Sequence, residues 1–197
     1  MSNITKKSKN QLWVELFMAK IPSQVIHLRD TPTKPSDEVC VQRARLMLEE
    51  CLETIENGLG VSITLTRQGV EEIQKRLTLS SDIMEYNLFG VSVIPTLGAL
   101  LAKNELNFRK TRPVDLVEVA DGLADQEYVN LGAAAVCGIA HQPMFEIVAA
   151  NNMLKHAKGT IDEHGKLVKS QYHIDPKEDI IEEFIRQGCE EMIQEAF

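Results

Sequence analysis

No Cys-x-x-Cys pair occurs in this 197-residue chain. Its four cysteines, Cys40, Cys51, Cys137 and Cys189, lie far apart, which excludes a zinc finger or a dithiol redox motif. They read as buried thiols of a reducing compartment. Basic residues are in deficit, 21 Lys and Arg against 29 Asp and Glu, for a net charge of −8. That balance excludes a nucleic-acid partner, because gripping a phosphate backbone needs a basic surface. A free nucleotide stays open, since one metal ion reverses the local sign. The longest apolar run, Val91 to Ala102, is broken by Pro95 and is too short for a membrane span. The polar stretch from Met1 to Asn10 has no apolar run after it, so no secretory signal is expected. These absences predict a cytoplasmic protein with no membrane partner. Repeats and low-complexity tracts are lacking and strand signals are scarce. The 44% hydrophobic and 25% charged composition suits a globular protein with a real core.

Helix signals dominate. Residues 10–21 carry Leu12, Trp13, Leu16 and Phe17 at helical spacing, with Trp13 and Phe17 expected in the core. Ser36 predicts an N-cap, with Asp37 and Glu38 in the first turn, for a helix reaching about Asn57. Thr66 to Leu77 predicts a third helix, and Ser80 or Ser81 caps a fourth. The segment Phe89 to Leu101 reads equally as an interrupted buried helix or an apolar loop. Pro113 opens a long helix that Gly138 ends, with Val114, Val117, Ala120, Leu123, Ala124, Tyr128, Leu131, Ala134 and Ala135 facing the core. His141 to His156 forms the next helix. Lys158 to His173 predicts a short β-hairpin. Asp175 then caps a last helix with Pro176 at its first position and a break at Gly188.

The carboxylates carry the chemistry. The helix after Pro113 bears Asp115, Glu118, Asp121, Asp125 and Glu127, and no Lys, Arg or His stands between Pro113 and Ala140. Glu118, Asp121 and Asp125 share one face. Like charges stacked on so apolar a helix call for a compensating cation. The helix after Ser36 supplies Glu49, Glu50 and Glu53, with Glu50 and Glu53 one turn apart. Two antiparallel helices offering carboxylates make an all-oxygen site, which suits Mg²⁺ or Mn²⁺ and poorly suits zinc or copper. Glu56 and Glu127 read as solvated surface. A di-iron bundle would need Glu-x-x-His on two helices, and no histidine here has a glutamate three residues before it.

The segment Leu48-Glu-Glu-Cys-Leu-Glu53, followed by Asp115-Leu-Val-Glu-Val-Ala-Asp-Gly-Leu-Ala-Asp125, resembles the all-α nucleoside triphosphate pyrophosphohydrolases. That group includes MazG-like proteins, dimeric dUTPases and phosphoribosyl-ATP pyrophosphohydrolase. Asn152-Met-Leu-Lys155 is similar to the NMSK-like segment of the MazG-like branch, and Gly165-Lys-Leu-Val-Lys169 to its tail. The resemblance implies a single all-α helical bundle over residues 1–197, with an insertion at 60–112 between the acidic motifs and a hairpin plus helix at 158–197. It implies Glu50, Glu53, Glu118 and Asp121 as metal ligands and Asp125 as an additional or supporting ligand. Glu49 and Glu50 match the catalytic acids, and Asn152 and Lys155 the residues that meet the nucleotide. Ala149 and Leu154 replace the histidine and second serine of the NMSK-like segment, and these changes bear on substrate selectivity.

The implied activity is Mg²⁺-dependent cleavage of a nucleoside triphosphate to the monophosphate and pyrophosphate, in a homodimer or dimer of dimers. A water attacks the α-phosphorus after Glu49 or Glu50 takes its proton, and Lys155 stands near the departing pyrophosphate. The basic stretch Lys158, His164, Lys166, Lys169 and His173 reads equally as a cover over the phosphates and as an exposed, solubilising hairpin. The apolar stretch Val91 to Leu101 is a candidate for association. The competing expectation is a non-catalytic metal- or nucleotide-binding helical protein that mediates oligomeric interactions.

Overall fold

The computed structural model describes residues 7–71, 73–74, 100–101, 103, 105–156, 160–161, 167–168 and 175–191. It is all-α with small antiparallel β ribbons. The chain forms two compact units, Met1–Glu50 with Ala124–Phe197, and Cys51–Leu123.

The helices are α1 (Lys9–Ala19), α2 (Pro22–Val25), α3 (Asp37–Glu53), α4 (Leu116–Val136), α5 (His141–His156) and α6 (Lys177–Arg186). Each end has a local cause. Ser8 accepts the Gln11 N–H and starts α1. Asp115 accepts the Val117 and Glu118 N–H groups, so it caps α4 instead of lying inside it. Asp175 accepts the Lys177 N–H, and α6 begins one residue later than Pro176. Gly138 and Gly188, with φ of 67° and 83°, end the segments where the sequence placed the breaks.

The core of the first unit joins Val14 and Met18 of α1, Val39 of α3, and Leu131, Ala135 and Val136 of α4. This revises the expected face of α1. Gln11, Val14 and Met18 are buried, whereas Leu12, Trp13, Leu16 and Phe17 are exposed. The amide of Gln11 makes this possible. Its Nε2 donates to the Ile139 carbonyl at 2.7 Å and its Oε1 accepts the His141 N–H at 3.0 Å, so a buried polar side chain carries no unsatisfied group. Gln187, just past α6, grips the same bend. It accepts the Ala140 N–H at 2.8 Å and donates to the Ala140 carbonyl at 3.2 Å. Removing it leaves both backbone groups buried and unpaired. Gln187→Ala is therefore expected to cost about 2–3 kcal/mol, lowering the melting temperature by roughly 4–12 °C. Gln142→Ala, on an exposed helical surface, is the control, and equal melting temperatures for the two variants would refute the clamp.

On α4 the expected inward stripe is only half right. Leu131, Ala134 and Ala135 are buried, but Val114, Val117, Ala120, Leu123, Ala124 and Tyr128 are exposed. The described packing partners of α4 in the first unit meet its C-terminal half. The cysteines also differ from expectation. Cys189 is buried, Cys51 and Cys137 are half-buried, Cys40 is exposed, and all four are free. Burial, with Cys40 adjacent, raises the Cys137 thiol, and the nearby Arg43 opposes the shift.

In the second unit, α3 passes into a π-helical turn, Thr54–Gly58. Then β1 (Val61–Leu65) pairs antiparallel with β2 (Leu106–Lys110), Ile63 opposite Phe108. This ribbon was not expected from the sequence; it closes the two ends of the 60–112 segment on each other. Residues 67–71 and 73–74 are helical, with Thr66 accepting the Gly69 N–H as their cap. Leu100 is fully buried and Leu101 exposed. The rest of the Phe89–Leu101 segment, and the fourth helix expected after Ser80 or Ser81, lie outside the described residues. Near the C-terminus, β3 (Thr160–Ile161) pairs antiparallel with β4 (Leu167–Val168), within the expected hairpin. Among the described residues, no single helix is long and apolar enough to cross a membrane.

Candidate functional site

In the second unit the end of α3 and the start of α4 run antiparallel. Thr54 packs on Gly122, and the Asp115 N–H donates to the Gly58 carbonyl at 3.0 Å. A side chain at Gly122 would overlap the Thr54 hydroxyl, so glycine there permits the close approach. The residues that precede this contact in each helix are Glu53 and Asp121. The contact thus ties two candidate ligands, from helices far apart in the sequence, into one unit. The π-helical turn follows Glu53 directly, an irregularity of the kind often found beside functional sites.

The carboxylates are exposed at Glu49, Glu53, Glu118, Asp121 and Asp125, and Glu50 is half-buried. Glu49 and Glu50 belong to the first unit, as do Asp125, Asn152 and Lys155; Glu53, Glu118 and Asp121 belong to the second. Among the described residues, no hydrogen bond or ion pair engages the carboxylates of Glu49, Glu53, Glu118, Asp121 or Asp125. Glu56, by contrast, lies 3.9 Å from Arg112, whose guanidinium also donates to the Glu56 carbonyl at 2.6 Å. The surface role read for Glu56 therefore fits.

As a donor set, Glu50, Glu53, Glu118 and Asp121 fit a hard divalent cation, being all oxygen and all acidic. Among the described residues, no three His, Cys, Asp or Glu form a group that could hold a metal ion. Asn152 is exposed on α5. The side chain of Lys155 lies outside the described residues, as do Lys158, His164, Lys166, Lys169 and His173.

Two features were missed in the sequence. Arg43 of α3 is partly buried. Its Nη2 lies 3.9 Å from the Met18 sulfur, and a side chain at Gly132 would crowd its guanidinium. Burial lowers its pKa. No sequence pattern marks an arginine that lies down on a glycine. The second feature is a cleft in the first unit between α1 and α4, lined by Trp13, Tyr128, Leu131, Ala124, Asn10 and Glu127. Partial burial raises the Tyr128 pKa. The exposed Trp13 that forms part of this cleft is one of the residues expected in the core.

No curated protein sequence matches the chain. The sequence profile of phosphoribosyl-ATP pyrophosphohydrolase matches residues 23–152. That range holds both acidic helices, the 60–112 segment and Asn152. Its activity is accordingly that of a pyrophosphohydrolase on a nucleotide-like substrate. The paired acidic helices and the profile agree, and the chain belongs to the phosphoribosyl-ATP pyrophosphohydrolase family, within the all-α nucleoside triphosphate pyrophosphohydrolases.

Proposed function

We propose that this chain hydrolyses a nucleoside or deoxynucleoside triphosphate to the monophosphate and pyrophosphate, with Mg²⁺ or Mn²⁺ as cofactor. The observation that carries this reading is the set of exposed carboxylates Glu49, Glu53, Glu118, Asp121 and Asp125, which no cationic side chain balances among the described residues. A triphosphate would be repelled from such a surface unless a divalent ion came with it. A bound Mg²⁺ neutralises phosphate charge and acidifies a coordinated water.

Glu50, Glu53, Glu118 and Asp121 are the proposed holders of the ion, with Asp125 one turn further along α4 as a supporting ligand. Glu49 or Glu50 accepts the proton of the attacking water. Water oxygen bonds to the α-phosphorus, the bond from that phosphorus to the bridging oxygen breaks, and pyrophosphate leaves. Asn152 donates to the phosphates and Lys155 places a point charge beside the leaving group. The exposed apolar residues Leu116, Val117 and Leu123 on α4 support a homodimer or dimer of dimers, because faces of this kind mark association surfaces. A cytoplasmic location follows the same reading as the free thiols.

One observation favours a second reading, a nucleotide-binding helical protein without turnover: the absence of a gathered metal group among the described residues. Pyrophosphate release from a panel of ribo- and deoxyribonucleoside triphosphates, with and without Mg²⁺ and Mn²⁺, separates the two. Metal-dependent release from at least one member is expected. A panel with no turnover, in which metal or nucleotide still raises the melting temperature, would establish the second reading.

A further inference from the structure

We propose that the cleft between α1 and α4 seats the substrate's base, and that it prefers a base bearing an exocyclic amine. The proposal rests on the nucleotide reading above and adds where the base binds and how it is chosen.

The cleft holds about 250 Å³. Pockets for whole ligands span roughly 300–1,000 Å³, so this one suits a single ring system and leaves the phosphates outside. Its aromatic wall is otherwise unexplained. Trp13 is 63% exposed, and the hydrophobic core of the unit does not include it. Every nucleobase offers a π-face to such a ring. Tyr128, on the opposing helix, is braced edge-on by Phe17, with ring centroids 5.9 Å apart at 74°. The phenol is thus oriented before any ligand arrives. Leu131, buried in the same cleft, gives it an apolar base.

Selectivity comes from the polar pair. Asn10 Nδ2 donates to Glu127 Oε1 at 2.8 Å. That bond uses one amide hydrogen and one carboxylate oxygen. The second amide hydrogen, the amide carbonyl and Glu127 Oε2 have no other partner among the described residues. The surplus is in acceptors, and a carboxylate accepts but cannot donate. Adenine and cytosine can donate through their amines, whereas hypoxanthine and uracil present a carbonyl at the corresponding position.

Trp13 is the chain's only tryptophan, so its emission reports on the cleft directly. The full chain, without metal, is titrated with AMP, IMP, CMP, UMP and inorganic tripolyphosphate. AMP and CMP are expected to quench at about tenfold lower concentration than IMP and UMP, and tripolyphosphate is expected not to quench. Glu127→Gln, which offers both a donor and an acceptor, should erase that preference. Trp13→Ala should raise KM for the best triphosphate about tenfold, with a smaller change in kcat, while Trp13→Phe restores most of it. Quenching by AMP with no triphosphate hydrolysed would uphold the cleft and refute the hydrolytic reading. Hydrolysis with no nucleotide-dependent quenching and an unchanged KM in Trp13→Ala would refute the cleft alone. Emission that follows protein concentration and ignores nucleotide would show a second copy of the chain covering Trp13, and would also refute it.

Discussion

Glu53→Gln combined with Asp121→Asn is expected to lower pyrophosphate release by about a thousandfold while leaving the fold intact. The two residues flank the Thr54–Gly122 contact in the second unit, and both carboxylates are exposed without a partner among the described residues. Exposed residues of this kind contribute little to stability, typically within about 0.5 kcal/mol. The exchange conserves side-chain size and removes two negative charges. What is lost is affinity for a divalent ion, whose stabilisation of a phosphoryl transition state amounts to several kcal/mol. At about 1.4 kcal/mol per decade, that is about three decades of rate. The measurement is the pyrophosphate assay at saturating Mg²⁺, beside a thermal melt of the variant. A variant that keeps its melting temperature and more than a tenth of its activity would show that these carboxylates are not the ligands.

Gly138→Ala is expected to give the largest loss of stability of any single small substitution in the first unit. Gly138 has φ +67°, and a methyl group there would overlap the carbonyl oxygen of Thr31. Two costs combine, the left-handed backbone at about 1–2 kcal/mol and a collision with main chain that cannot rotate away. Together they should reach about 4 kcal/mol, lowering the melting temperature by roughly 8–16 °C. Gly188→Ala isolates the first cost. Its φ is +83°, but its nearest neighbour is the Thr31 methyl at 3.6 Å, an ordinary contact. A loss of about 1–2 kcal/mol is expected there. Equal losses in the two variants would mean that the Thr31 carbonyl gives way freely.

Those two glycines were legible in the sequence, as were α5 and the starts of α3 and of the last helix, because caps and breaks are local chemistry. The acidic motifs were equally plain, since their spacing places them on helix faces whatever the surroundings. Burial was not legible. The apolar residues of α1 suggested that Trp13 and Phe17 point inward, yet Gln11 takes the inner face because backbone groups far along the chain satisfy its amide. Periodicity cannot register a partner that distant. The β1–β2 ribbon was missed for the same reason. Its strands are short, and their pairing joins the two ends of a long segment. The stripe on α4 was half misread because apolar residues mark a face to be covered without naming what covers it. Val117 and Leu116 are both 76% exposed.

The division of the chain has a consequence for the order in which it forms on the ribosome. The second unit is one unbroken stretch, Cys51–Leu123, whereas the first is assembled from residues on both sides of it. Chains emerge N-terminus first, at about 5–20 residues per second. The second unit is therefore complete in the nascent chain while α1 and most of α3 still wait for Leu131, Ala135 and Val136. The bend after α4 waits longer still, because Gln11 reaches it from the first helix and Gln187 only from the last. The first unit is thus latched shut only after the whole of the second has been made.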